Sequence, residues 1–391
     1  MRGAHRAGAR RRRSTGRLKP VVRGLALLAV LAAPLTGQSP PSPTQDRRPR
    51  LPRTADSLDW IAYYERGFAE VKNREFALAE SYFAYASRLD PTVAEPLVAR
   101  YGAWWKARPW LRNPMWVTER EASRGAAVDS AEAWLRQALL RDPFVDRAPL
   151  MLTIPARRVL TDEARGLGLL ALFSGRAAES VEHFTRAIAN NPADVNARRW
   201  RALAFARLER WPDVVRDYEE VIRQVAEFKE TVTLSVEFGS AELHHALGLA
   251  RLRMGDTTGA LHAFEATFVE DLSFYMGHLY YAMLLRTRGD TAQAHREYAL
   301  AVELQPDDPV LRQNYGVALF TAGRTDSALV HFQAAVRLNP AYATPYFNIG
   351  LAYERLGKPD EAKAAYRAFL ARAPRRLTSL IQRAEERLAA P

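Results

Sequence analysis

From residue 241 onward the apolar positions recur every three to four residues, and a longer period is laid over that helical one. Glycines stand at Gly255, Gly289, Gly323 and Gly357, alanines at Ala260, Ala294, Ala328 and Ala362, and aromatic residues at Phe264, Tyr298, Phe332 and Tyr366, each column stepping by 34. A small-residue column runs Gly248, Ala282, Gly316, Gly350, and the spans close on Leu272, Pro306, Pro340 and Pro374. Two apolar-periodic stretches, parted by a glycine and closed by a helix-stopping residue, predict a pair of helices per span. Four such units begin at Ala241, Tyr275, Pro309 and Ala343.

Each column has a physical reason. A small residue in the first helix lets the second approach closely, where a bulky one would hold the pair apart. Glycine at the turn supplies the positive φ that ends a helix. The aromatic, three to four residues after the alanine, shares its face of the second helix and fills the space between neighbouring units. Proline stops the second helix before the next unit. The last unit, with Tyr346, Ile349-Gly350, Tyr353, Ala362, Tyr366 and Pro374, resembles the tetratricopeptide repeat in nearly every slot. The resemblance implies an all-α fold, a right-handed α-solenoid of stacked helix-turn-helix repeats with a C-terminal capping helix, and a protein-binding rather than enzymatic role.

Towards the N-terminus the register loosens. A unit from Thr161 keeps Leu167-Gly168, Gly175, Phe184, Ala187 and Pro192, and the next, from Val195, keeps Ala202, Phe205 and Tyr218 but has Val214 in the alanine slot. The first unit runs from Trp60 with Gly67, Ala79, Phe83, Ala86 and Pro91; the second is split, with a first helix over 94–106 and a second over 130–142. The predicted organisation is a leader (1–37), a linker (38–53), irregular units (54–228) with a Trp-rich insertion (104–122), a second insertion (229–240), four regular units (241–376) and a cap (377–391). The amphipathic run over 376–389 suits a terminal helix whose outer face meets water.

Charge is confined to one end. Residues 1–53 carry 13 of the 56 lysines and arginines and one of the 44 acids, leaving 43 of each in the rest of a chain whose net charge is +12. A phosphate-tracking surface needs its basic excess on the folded body, so no nucleic-acid partner is expected. The basic run Arg10 to Arg13, with Arg17, Lys19 and Arg23, precedes twelve mostly apolar residues from Gly24 to Leu35. As a helix these reach roughly 18 Å, short of the roughly 30 Å hydrocarbon core. This predicts a secretory signal peptide and an exported, periplasmic or extracellular protein. The alternative is an uncleaved anchor in the cytoplasmic membrane over 21–35, the one route to a membrane. Twin-arginine export fits less well, because Ser14-Thr15-Gly16 follow Arg12-Arg13 where that signal has an apolar pair. Five prolines between Gln38 and Arg53 read as an extended linker.

The family resemblance implies a concave groove lined by positions 2, 5, 9 and 12 of each first helix. Carried over, its principal residues are His245, Leu249, Leu279, Met283, Gln313, Val317, Phe347 and Leu351, with Arg165 and Arg199 in one slot of two earlier units. The apolar floor suits a peptide or helix held through a few anchors, or else these residues contact the neighbouring repeat. The two arginines could grip an acidic side chain, or stand exposed in solvated pairs. A carboxylate clamp is not implied, because His245, Leu249, Gln313 and Val317 occupy the slots where such relatives carry Lys and Asn. Trp104, Trp105, Trp110 and Trp116 are either a second contact surface or filler for an irregular unit. There are no cysteines, which excludes disulfides and thiolate chemistry. No phosphate loop, His-Glu-x-x-His or Gly-x-Ser-x-Gly motif occurs, so no cofactor, metal or catalytic residue is expected. An enzymatic site in the irregular region 104–160 is the rival reading, and a membrane-anchored assembly or accessory factor is the third.

Overall fold

The architecture follows from the helix pairs. The structure, a computed structural model, describes residues 48–52, 54–108, 121–146, 163–227 and 239–389. The leader, most of the linker, and most of both insertions lie outside the described residues, as do Trp110 and Trp116. Among the described residues the secondary structure is helical, with no strand. The first two units are α1 (Trp60–Lys72) with α2 (Phe76–Leu89) and α3 (Glu95–Ala107) with α4 (Glu121–Arg141). The next two are α5 (Glu163–Phe173) with α6 (Ala177–Asn190) and α7 (Val195–Arg207) with α8 (Trp211–Glu227). The regular units are α9 (Ser240–Arg253) with α10 (Thr257–Glu270), α11 (Tyr275–Thr287) with α12 (Thr291–Leu304), α13 (Pro309–Thr321) with α14 (Thr325–Leu338), and α15 (Thr344–Arg355) with α16 (Pro359–Leu370). A 3-10 turn (Arg375–Leu377) leads to the capping helix α17 (Thr378–Ala389).

The aromatic column does more than join units. In each regular unit with glycine in the small column, the ring lies on that glycine of its own first helix. A Cβ added to Gly248 would stand 2.5 Å from the Phe264 ring, one on Gly316 2.6 Å from Phe332, and one on Gly350 2.5 Å from Tyr366. The irregular units repeat this with Gly67 on Phe83 and Gly168 on Phe184. The same rings also reach the next unit: Phe264 stacks on Tyr280 and Tyr298 on Tyr315, with centroids 5.3 and 5.7 Å apart. One ring therefore fixes both the spacing within a unit and the spacing to its neighbour.

Helix starts and stops are local. Asp256, Asp290 and Asp308 cap α10, α12 and α13 by accepting from backbone N–H groups of the first turn. The turn glycines, Gly255 through Gly357, have φ between 68° and 88°, and Gly175 has φ 77°. In the first and fourth units the same turn is made by Arg74 and Glu209, at φ 65° and 55°.

Extensive neighbour-on-neighbour packing runs from α1 to α4 and again from α5 to α17. The helix predicted over 130–142 is longer at its start, beginning at Glu121, and its C-terminal end turns onto α7, α8 and α9 rather than simply continuing the stack.

Because L-residues pay for the left-handed region, Glu209→Gly is expected to stabilise the protein by about 0.5–1 kcal/mol, and Gly323→Glu to destabilise it by about 1 kcal/mol. Urea unfolding of the two variants beside the native chain measures both signs.

Candidate functional site

The inner face carried over from the repeat pattern is an ordered register. Position 5 of each regular first helix, namely His245, Leu279, Gln313 and Phe347, is buried throughout. Position 9 is buried at Leu249 and half-buried at Met283, Val317 and Leu351. The second column is thus the accessible part of the wall, and the first lies beneath it.

Part of that burial comes from a segment far away in sequence. The C-terminal turn of α4 and the residues after it lie against the inner face. His245, only 1% exposed, donates from Nε2 to the carbonyl of Leu140 at 2.7 Å. Its ring is surrounded by Phe264, Phe274 and Tyr280. Arg253 binds Asp142 at 3.0 Å and lies over the rings of Phe144 and Trp211. Phe144 packs edge-on to Trp211 and Tyr218, and Arg207 pairs with Asp146. Leu139, Phe144 and Val145 are buried.

Beside this contact a cavity of about 190 Å³ remains, lined by the polar Thr92, Arg141, Asp308 and Asn314 together with Met276, Leu279, Tyr280, Met283, Val310 and Leu311. Arg141 is half-buried and shares this lining with Asp308. Its loss of water pushes the guanidinium below its usual pKa, against the opposing pull of Asp308 and Asp90.

The two ends of the stack also meet. Arg376 binds Asp59 at 3.2 Å and Asp90 at 2.6 Å, the Arg375 N–H donates to Asp56 at 2.8 Å, and the Asn339 amide donates to the Arg88 carbonyl at 2.8 Å. Arg376 is 38% exposed on its side chain, and pairs of that exposure contribute about 0.2–1 kcal/mol each.

The remaining sequence candidates divide. Arg165 pairs with Asp194 at 3.1 Å, a residue that also caps α7. Arg199 is buried rather than exposed, with Nη1 3.4 Å from Asn196 Oδ1. Trp104 is buried in the first units, edge-on to Trp105, with Arg108 over its ring. Trp105 is half-buried. No group of three or more potential metal ligands converges among the described residues. No described helix is long and apolar enough to cross a membrane. Leu140, Asp142, Phe144, Arg253 and Arg376 carry no signal in the repeat pattern. The Asp142-Pro143 pair marks a helix end, but nothing local tells where that end docks.

Comparison with known proteins agrees with the repeat geometry. Models of the tetratricopeptide repeat match residues 165–225 and 245–309 and residues 343–376, and a TPR-repeat model matches residues 316–357. The chain belongs to the tetratricopeptide-repeat family. The Hsp70-Hsp90 organizing protein of Triticum aestivum is 32% identical over 114 residues, which are 29% of this chain and 18% of that protein. This chain therefore spans less than a fifth of that relative. Among solved structures, YrrB, a TPR protein with an unusual peptide-binding site, is 18% identical with a TM-score of 0.42 over 53% of this chain and 99% of its own. A chain of the APC/C hetero-tetramer Cut9-Hcn1 is 14% identical with a TM-score of 0.44, covering 87% of this chain and 78% of its own. The repeats make this chain a protein-protein interaction scaffold.

Burial holds the His245 imidazole down at about 4, against a smaller upward pull from its bond to the Leu140 carbonyl. An unfolded histidine titrates near 6.5, so between those values the unfolded chain binds the extra proton. Stability present above pH 6.5 is then lost as pH falls towards 4, by up to about 3 kcal/mol from this residue. His245→Gln is expected to shrink the loss seen by denaturant unfolding at pH 7 and pH 4.5. His331, also held at about 4 by burial, supplies a remainder.

Proposed function

We propose that this protein is an exported scaffold that holds a partner protein through a peptide or helix laid along the inner face of its repeats. The observation that carries the reading is the column Met283, Val317 and Leu351. Three apolar side chains repeat at one position of consecutive first helices and stay half-buried, the first of them, Met283, lining the cavity. Such a row of anchors at fixed spacing fits an amphipathic segment. Phe320, one turn further, carries the Arg355 guanidinium 3.9 Å above its ring and adds a cationic rim.

Export rests on the basic run and apolar stretch of the first 35 residues, and retention of that stretch would make the protein a membrane-anchored assembly factor instead. Mass spectrometry of the mature N-terminus distinguishes the two. We read the function as binding rather than catalysis because the half-open column of the inner wall is apolar. The Triticum aestivum relative is named as an organizing protein, and the scaffold role proposed here is of that general kind.

Affinity capture from an envelope extract tests the groove. The native chain is expected to retain a discrete protein that the Val317→Glu, Leu351→Glu double variant retains at least tenfold less, with unchanged helical circular dichroism. Equal recovery by both would remove the groove as the site.

A further inference from the structure

The cavity beside the end of α4 brings two opposite charges and an apolar wall together from separate parts of the chain. Arg141 comes from the last turn of α4, Asp308 from the cap of α13, and Met276, Leu279 and Met283 from α11. We propose that this cavity binds a free aliphatic α-amino acid of leucine or methionine size. The ligand carboxylate lies on Arg141, its ammonium on Asp308 and its side chain against the α11 wall. This goes beyond the scaffold reading and does not depend on it.

Charge balance selects the class of ligand. Asp308 is 6% exposed and gives Oδ1 to the α13 cap, accepting from the Val310 and Leu311 N–H groups at 2.7 and 3.3 Å. Oδ2 takes no part in that cap. Asp90, the other acid whose charge reaches Arg141, is engaged by Arg376 and by the N–H and hydroxyl of Thr92. Arg141 and Asp308 act on each other as charges rather than as a hydrogen-bonded pair. A lone anion brought to Arg141 meets the Asp308 carboxylate, and a lone cation brought to Asp308 meets the guanidinium. A zwitterion answers both charges, and its carboxylate can accept two parallel guanidinium N–H bonds. Asn314 adds an amide donor and acceptor to the same lining.

The wall selects the side chain. Met276, Leu279, Met283 and Leu311 give a polar side chain nothing to bond, whereas the two thioethers adapt to an aliphatic one. A dry cavity of about 150 Å³ holds a benzene molecule, so the space of about 190 Å³ here takes an aliphatic amino acid and not tryptophan.

Isothermal titration of the full chain with L-leucine and L-methionine tests this, and saturable binding of both is expected. Isocaproate, which lacks the ammonium, and L-leucinamide, which lacks the carboxylate, are expected to bind at least tenfold more weakly than leucine, as are L-glutamate and L-tryptophan. Arg141→Met and Asp308→Asn are each expected to weaken leucine binding at least tenfold. Asparagine still caps a helix, so the second variant keeps α13 intact, and the analogue series needs no variant at all. Absence of saturable heat with either amino acid up to about 10 mM would overturn the proposal. Isocaproate or leucinamide binding as tightly as leucine would also overturn it, because one of the two charges is then not read. So would unchanged leucine affinity in Asp308→Asn with native helical circular dichroism, which puts the amino acid elsewhere.

Discussion

The contact on which the structure depends is a ring set on a backbone. Where Phe264, Phe332 or Tyr366 lies against the glycine of its partner helix, there is no room for even one added carbon. That contact sets the distance between the two helices of a unit, and the far edge of the ring helps set the distance to the next. Repeated along the chain, it turns a local two-helix preference into a continuous stack with a reproducible inner face. Ala282 opposite Tyr298 shows that one methyl group can be absorbed, since Tyr298 remains buried. The column demands small size rather than glycine as such.

A stack of this kind holds itself together by apolar burial between neighbours, so its ends are energetically separate from its middle. The bridges that bring α1 and α2 to the turn before α17 are of a different character. They pair an exposed guanidinium with half-buried carboxylates, and they tie together parts of the chain far apart in the stack. The inner face then has two populations of side chain: a buried column that belongs to the fold, and a half-open column that a partner can reach.

The regular half is legible in the sequence because its signal is redundant. Each column is stated four times at one spacing, so the spacing alone places turn, small contact, aromatic and stop. The earlier units are partly legible, since Gly67, Gly168, Phe83 and Phe184 keep the same contact although the period around them is broken. Arg74 and Glu209 hide two turns, because neither residue advertises a positive φ. Among the site residues, the pattern places Met283, Val317 and Leu351 in one column but does not tell which groove positions are covered, or that Arg199 is buried and Trp104 packed into the core.

What this sequence determined by itself is everything that repeats: the helix pairs, their caps and stops, the small-on-aromatic contact and the existence of an inner face. These depend on residues within about one repeat of each other, so a fixed spacing records them. What only the tertiary structure decided is how the chain meets itself. The bond from His245 to Leu140 spans 105 residues and that from Arg375 to Asp56 spans 319. Each is a single contact between surfaces brought together by the accumulated geometry of many units. No local period encodes such a meeting, because it is a property of the whole stack's curvature and not of any one of its repeats.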